Sequence, residues 1–114
     1  MRESEIKKSV VNDLKFYQIS GEVVWWTRLN SGKIKTEWGA WVNLCDPGTP
    51  DFIVLTRNNI VLFLETKRTG KEKLDVNQKA FFERMAKYPF VKCFVVNEKN
   101  QVSKLIKTRR EDNE

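Results

Sequence analysis

The sequence predicts an α/β domain with a small mixed sheet flanked by helices, and three patterns lead to that prediction. Two short apolar runs on either side of a polar turn indicate a β-hairpin, at residues 52–55 and 60–64. Helical periodicity precedes and follows the hairpin, in residues 3–17 and 75–87. A further apolar run at 91–96 follows the second helix, and a strand reached through a helix pairs in parallel with its neighbour.

The first helix carries an apolar stripe at spacings of three and four, formed by Ile6, Val10, Leu14 and Tyr17. At 100° per residue, Glu3 falls inside this stripe and Glu5 falls nearly opposite it. An acid that faces a core needs a partner, and a metal ion would be one. The alternative is that both acids only stabilise the first helical turn through the helix dipole.

The first strand is predicted at 23–28, followed by a turn at 29–33. Four tryptophans lie in and after it, namely Trp25, Trp26, Trp38 and Trp41. We expect two of them to lie in the core or in a subunit contact. Stacking on nucleic-acid bases is the alternative.

The hairpin brings charged residues to one end of the sheet. Asp51 opens its first strand, Glu65-Thr66-Lys67 closes its second, and antiparallel pairing about the turn at 57–59 places Asp51 beside Glu65. Because side chains alternate along a strand, Glu65 and Lys67 share a face, while Thr66 points away and offers its backbone carbonyl. Two carboxylates and a carbonyl are hard ligands suited to Mg²⁺ or Mn²⁺, and the ammonium can orient water or offset phosphate charge. The alternative is a set of solvated charges at a hairpin end.

A polar, mostly basic loop follows the hairpin, with Arg68, Lys71 and Lys73. These side chains suit phosphate contact and suit plain solvation equally. The second helix is predicted to begin at Asp75, and its apolar face carries Leu74, Phe81, Phe82 and Met85. Gln78 lies on that same face, three residues after Asp75, where a capping box explains it without any catalytic role. A basic helix at 98–110 ends the predicted order α-β-β-β-α-β-α.

Composition limits the possible chemistry. The 114 residues fit one domain, 1–114, with no histidine, which excludes Ser-His-Asp hydrolysis and histidine-ligated zinc. Cys45 and Cys93 are too few for a disulfide scaffold, and we expect neither to take part in catalysis. No apolar run reaches membrane-spanning length, so we expect a cytoplasmic protein without a membrane partner.

The net charge of +6 is unevenly distributed. Residues 66–110 hold 13 Lys and Arg against 4 Asp and Glu, whereas the remaining residues hold 8 against 11. This asymmetry favours a face that binds a polyanion such as DNA, although a basic face is also a common means of solubility.

A short signature in the hairpin resembles that of the PD-(D/E)XK nucleases: Pro50-Asp51, thirteen intervening residues, and then Glu65-x-Lys67. The stretches GTPD at 48–51 and ETKRTGKEKLDVNQ at 65–78 look like the VRR-NUC branch of that superfamily, in its small stand-alone viral form. The similarity extends from about residue 3 to about residue 107, nearly the whole chain.

The resemblance implies a restriction-endonuclease-like αβββαβα core and a divalent-metal-dependent endodeoxyribonuclease. It implies catalytic roles for Asp51, Glu65, Lys67 and Gln78, in which Gln78 contacts the catalytic lysine. It also implies metal ligation by Asp51, Glu65, the Thr66 carbonyl and Glu3, with DNA contacts from Asn30 and Lys33 at the substrate edge.

The expected substrate is branched DNA. Stand-alone domains of this kind tend to be homodimers that nick four-way (Holliday) junctions and leave 5′-phosphate and 3′-hydroxyl ends, with no organic cofactor. If the chain is viral, its site of action is the host cell cytoplasm. The alternatives are a flap endonuclease, a sequence-specific restriction-type endonuclease, and a non-catalytic DNA-binding module.

Overall fold

A computed structural model of the chain describes residues 1–29 and 32–111, with side chains to residue 107. Within these residues the chain forms three helices and six strands, in the order α1 (Glu3–Ser20), β1 (Val23–Arg28), β2 (Lys33–Lys35), β3 (Trp41–Asn43), β4 (Phe52–Thr56), β5 (Val61–Thr66), α2 (Val76–Met85), β6 (Val91–Val96) and α3 (Gln101–Glu111). No helix in this part of the chain is long and apolar enough to cross a membrane.

The main sheet has four strands in the order β1-β4-β5-β6. The β1–β4 and β4–β5 pairs are antiparallel, and β5 pairs with β6 in parallel, with Val61 opposite Val91. The predicted mixed sheet and the predicted parallel crossover through a helix are therefore confirmed.

Helices α1 and α3 cover one face of the sheet. The stripe predicted on α1 is buried in full. It packs with inward-facing residues of the strands and of α3 to form the core, which contains Ile6, Val10, Leu14, Tyr17, Val23, Phe52, Val54, Leu62, Leu64, Val96, Val102 and Ile106. The even-numbered side chains of β4 and β5 point into this core because alternate residues of a strand share a face.

Helix α2 lies on the opposite face, where the Phe63 and Phe81 rings meet edge to face with centroids 5.0 Å apart. None of its side chains is fully buried, and Phe81, Phe82 and Met85 are half-buried. A single ten-residue helix leaves much of this face open, so the predicted apolar side of α2 packs less completely than that of α1.

A second sheet, formed by β2 and β3, was not predicted. It is a two-stranded antiparallel hairpin in which Ile34 lies opposite Val42. Its six strand residues are all exposed, and Trp38 and Trp41 are 89% and 66% exposed. Of the four tryptophans, Trp26 alone packs against the core, and a place for a second one in a subunit contact stays a prediction.

Smaller differences concern the helix ends. Helix α1 extends to Ser20, three residues beyond the predicted end, and stops where Gly21 adopts a positive φ of 92°. Helix α3 begins at Gln101 and not at residue 98, because Asn100 has a positive φ of 68°, which lies outside the helical range.

Candidate active site

The site lies at the end of the sheet where β5 finishes and β4 begins. Asp51 stands just before β4, and its backbone is held on both sides: Leu29 N–H donates to its carbonyl at 2.7 Å, and its own N–H donates to the Leu64 carbonyl at 3.0 Å. Glu65 is the penultimate residue of β5. Both carboxylates are nearly inaccessible to solvent, at 9% and 5% exposure.

The loop before Asp51 is fixed by close packing against α2. Gly48 has a positive φ of 91°, and a Cβ added there would lie 2.3 Å from the backbone oxygen of Asn77. Only glycine permits both this backbone conformation and this approach without strain. The loop that aims Asp51 thus rests on the first turn of α2, the same turn that carries Gln78.

Asp51 is oriented by Thr66. The Thr66 N–H and hydroxyl both donate to Asp51 Oδ2, at 2.8 Å and 2.6 Å. The prediction that the Thr66 side chain points away from the face shared by Glu65 and Lys67 is not contradicted by this contact, because a carboxylate at a strand end can reach groups on either face of the sheet. The proposed use of the Thr66 carbonyl as a metal ligand stays a prediction.

Glu3 completes a group of three acids. Carboxylate oxygens of Glu3, Asp51 and Glu65 all lie within 4.8 Å of one another. Glu3 and not Glu5 is therefore the acid that α1 brings to the strand ends, as its place in the apolar stripe indicated. Glu5 instead lines a separate groove together with Asp13 and Lys99.

Lys7 is a site residue that sequence reasoning missed. Its Nζ lies 3.8 Å from Glu3 Oε1 and 3.8 Å from Asp51 Oδ1. The available signal was its spacing: Lys7 is four residues after Glu3 and so lies on the same side of α1. Its ammonium offsets part of the negative charge of the three acids.

Gln78 connects the two remaining site residues. Its Nε2 donates to Glu65 Oε1 at 3.0 Å, and its Oε1 accepts from Lys67 Nζ at 2.9 Å. The same Oε1 accepts from the Asp75 N–H at 3.0 Å, and Asp75 in turn accepts from the Gln78 N–H at 2.8 Å, forming a capping box. Both roles considered for Gln78, helix capping and contact with the lysine, are present together.

The electrostatics of the site reflect crowded negative charge. Burial and, after it, the negative charge of Asp51 raise the pKa of Glu65, Lys67 opposes the rise, and the pKa that results is about 8. A carboxylate in this setting resists ionisation unless a cation is near. Burial also raises the pKa of Cys93 to about 11, which agrees with the expectation that this thiol is unreactive.

The donor set fits a small divalent cation. Three carboxylates from α1, β4 and β5 converge, and hard oxygen ligands are those that Mg²⁺ and Mn²⁺ prefer. The three oxygens lie within 4.8 Å of one another, so binding of one ion by all three would require side-chain adjustments that bring them closer together. Glu3, whose side chain is 49% exposed, is able to make them.

The predicted DNA contacts are more scattered. Lys33 lies on the exposed β2 hairpin, and Asn30 lies outside the described residues. Arg68, Lys71 and Lys73 are exposed on the loop after β5. That loop is attached to the chain start, where the Met1 amino group donates to Thr69 Oγ1 at 2.9 Å, and to Asn97, which donates to the Lys71 carbonyl at 2.9 Å.

Comparisons of the chain with protein families, with curated proteins and with solved structures find no match.

Proposed function

We propose that the chain is a divalent-metal-dependent endodeoxyribonuclease of the PD-(D/E)XK type, similar to VRR-NUC domains. The observation that carries the proposal is the convergence of Glu3, Asp51 and Glu65 within 4.8 Å. Lys67 lies beside them, held through Gln78. Clustered acids that can hold a divalent ion, with a cationic side chain beside them, are suited to phosphodiester hydrolysis without histidine.

The fold is consistent with a restriction-endonuclease-like arrangement. An αβββαβα core is supported by the main sheet order β1-β4-β5-β6. Along the chain, α1 precedes this sheet, α2 lies between β5 and β6, and α3 follows β6. In this interpretation the β2–β3 hairpin is an insertion between the first and second core strands.

The chain's own residues would divide the chemistry between them. A bound Mg²⁺ or Mn²⁺ would supply Lewis-acid charge at the scissile phosphate. Asp51, held by Thr66, and Glu65, held by Gln78, would orient that ion from fixed positions. Lys67 would position the attacking water and stabilise negative charge that develops on the phosphate, because Gln78 Oε1 fixes its ammonium.

A four-way DNA junction is the substrate that we propose, cut by a homodimer. The exposed apolar side chains of the β2–β3 hairpin support self-association, and among them are Ile34, Trp38, Trp41 and Val42. A two-fold dimer would set two active sites against two symmetric strands. Sedimentation velocity at the concentrations used for cleavage tests this part of the proposal, and a monomer at those concentrations would contradict it.

The test of catalysis is cleavage of a labelled four-way junction beside a matched linear duplex and a 5′ flap, with Mg²⁺, Mn²⁺ or EDTA. We expect metal-dependent nicking of the junction, lost in Asp51→Asn and retained in Asp46→Asn, which alters an exposed acid of the preceding loop. Preference for the flap would indicate a flap endonuclease, and cleavage of the duplex at one sequence would indicate a restriction-type enzyme. If every substrate is bound and none is cut, the catalytic proposal fails and a DNA-binding module replaces it.

A further inference from the structure

A groove runs between the first turns of α1 and the end of β1. Its volume is about 510 Å³, and its lining residues are Glu3, Ser4, Lys7, Lys8, Val11 and Arg28. Glu3 also belongs to the three-acid cluster, so one end of the groove is continuous with the candidate metal site. Of the predicted DNA contacts that fall on described residues, none lines this groove.

Local structure explains why these residues meet. Ser4, Lys8 and Val11 follow one another at spacings of four and three, which places them along one side of α1. Arg28 is the last residue of β1 and lies opposite Phe52, the residue that follows Asp51. Phe52 points into the core beneath α1, and cross-strand partners share a face, so Arg28 projects toward α1 from the other wall.

The charge of the groove suits a polyanion. Its lining contains three cations and one anion, and Lys7 is already close to Glu3 and Asp51. Lys8 and Arg28 are exposed, and neither forms an ion pair with another described residue. Two cations without an ion pair to another described residue, on opposite walls of a groove and beside an acid cluster that could hold a metal ion, match the repeating phosphates of a nucleic-acid strand.

We propose that this groove binds the phosphate backbone of DNA next to the bond that is cut, with Lys8 and Arg28 contacting phosphates. The proposal rests on the proposed nuclease function and adds to it the path of the substrate strand. The strand would leave the metal site along α1 and β1, on the side of the sheet opposite α2. Lys8 and Arg28 would be positioning residues, because they would touch the backbone and not the reacting phosphate.

The test measures binding and its salt dependence. In an Asp51→Asn background, which blocks cleavage in Mg²⁺, a labelled four-way junction is titrated at several salt concentrations with Lys8→Gln, Arg28→Gln and the double variant. The logarithm of the binding constant falls linearly with the logarithm of the salt concentration, and each phosphate contact removed should reduce the steepness of that fall by about 0.7–0.9. The double variant should show about twice that reduction.

Arg57→Gln and Lys87→Gln are matched controls for charge. Arg57 lies in the β4–β5 turn. Lys87 lies in the segment just before β6, and this segment adjoins the start of β5, where the Phe90 carbonyl accepts from the Val61 N–H at 2.8 Å. Both are exposed and lie at the end of the sheet away from Glu65. We expect their salt slopes to equal that of the parent protein, and thermal unfolding of every variant confirms that it is folded.

Cleavage assays with Asp51 intact separate the groove from the catalytic function. We expect Lys8→Gln and Arg28→Gln to raise KM and to leave kcat near the wild-type value. If the wild type cuts DNA and the groove variants keep the salt slope of the controls, the groove proposal is overturned and the nuclease proposal stands. If the groove variants lower the slope but no protein cuts DNA in any metal, the groove is supported and the nuclease proposal fails.

Discussion

Replacing Gln78 with alanine tests how far the site depends on one amide. The substitution removes three side-chain hydrogen bonds: the bond donated to Glu65 Oε1 and the bonds accepted from Lys67 Nζ and the Asp75 N–H. Asp75→Ala is the matched control, because it removes the other half of the capping box and leaves all three of these bonds in place. The pair therefore separates helix capping from support of the site.

The expected magnitudes follow from these contacts. Loss of a helix cap costs about 1 kcal/mol, so Asp75→Ala should lower the free energy of unfolding by about that amount, and Gln78→Ala should lower it by more because it also removes the bonds to Glu65 and Lys67. Hydrogen bonds to charged groups contribute about 1.5–3 kcal/mol each. If the bond to Lys67 is fully expressed in the transition state, Gln78→Ala should lower kcat about ten- to a hundredfold, whereas Asp75→Ala should change it by less than about threefold.

The assay is single-turnover cleavage of a four-way junction at saturating protein and metal, with urea unfolding of each variant. Equal loss of rate in the two variants would refute the reasoning, since it would show that Gln78 acts only through α2. An unchanged rate in Gln78→Ala would also refute it, since the lysine would then need no partner.

Three further predictions concern the metal site, its charge and its supporting loop. Glu3→Gln should weaken Mn²⁺ binding about thirtyfold, as measured by electron paramagnetic resonance, because a divalent ion and a carboxylate about 4 Å apart attract by about 2 kcal/mol even in bulk water. Glu5→Gln should change Mn²⁺ binding little. Equal effects of the two substitutions would contradict the assignment of Glu3 to the metal site. In the metal-free folded protein, burial and the negative charge of Asp51 raise the pKa of Glu65 from its ordinary value of 4.5 to about 8. The folded state thus holds the proton more tightly than the unfolded state does, and the free energy of unfolding should fall as pH rises between these two pKa values, by at most about 1.4 kcal/mol per pH unit. Glu65→Gln should flatten this pH dependence, as measured by urea titrations. Parallel curves of unfolding free energy against pH for the two proteins would contradict the prediction. Gly48→Ala and Gly70→Ala both place a side chain at positive φ, at a cost of about 1–2 kcal/mol. Only the new Cβ at position 48 would contact backbone atoms, so Gly48→Ala should lower the free energy of unfolding by a further ~1–3 kcal/mol. Equal losses in the two variants would exclude the close contact between Gly48 and α2.

The parts of the fold that followed from the sequence are those governed by a regular period. The stripe on α1 and the alternation of β4 and β5 each bury one face, so their spacing alone located the core and set Asp51 beside Glu65. The β2–β3 hairpin was missed because its strands bury neither face, and three-residue strands carry too few positions to establish a period.

The candidate site was predictable where it depended on adjacent strands and not where it depended on contacts between distant segments. Helical geometry favoured Glu3 over Glu5, but only the packing of α1 against the strand ends brings Glu3 to the other acids. Lys7 gave no signal beyond its spacing from Glu3, and Arg28 gave none beyond ordinary surface charge, because its position matters only through the groove between two elements that the sequence does not pair.

The hydrogen bonds from Thr66 bear on which ion the protein would accept. With two donors on Oδ2, Asp51 has one oxygen left to offer, so it is suited to monodentate ligation. Ca²⁺ takes six to eight oxygens and favours bidentate carboxylates, whereas Mg²⁺ requires about six in a compact octahedron and retains several waters. The Thr66 N–H and hydroxyl, which do not contact the ion themselves, would thus favour the smaller cation by limiting how many oxygens the protein can contribute.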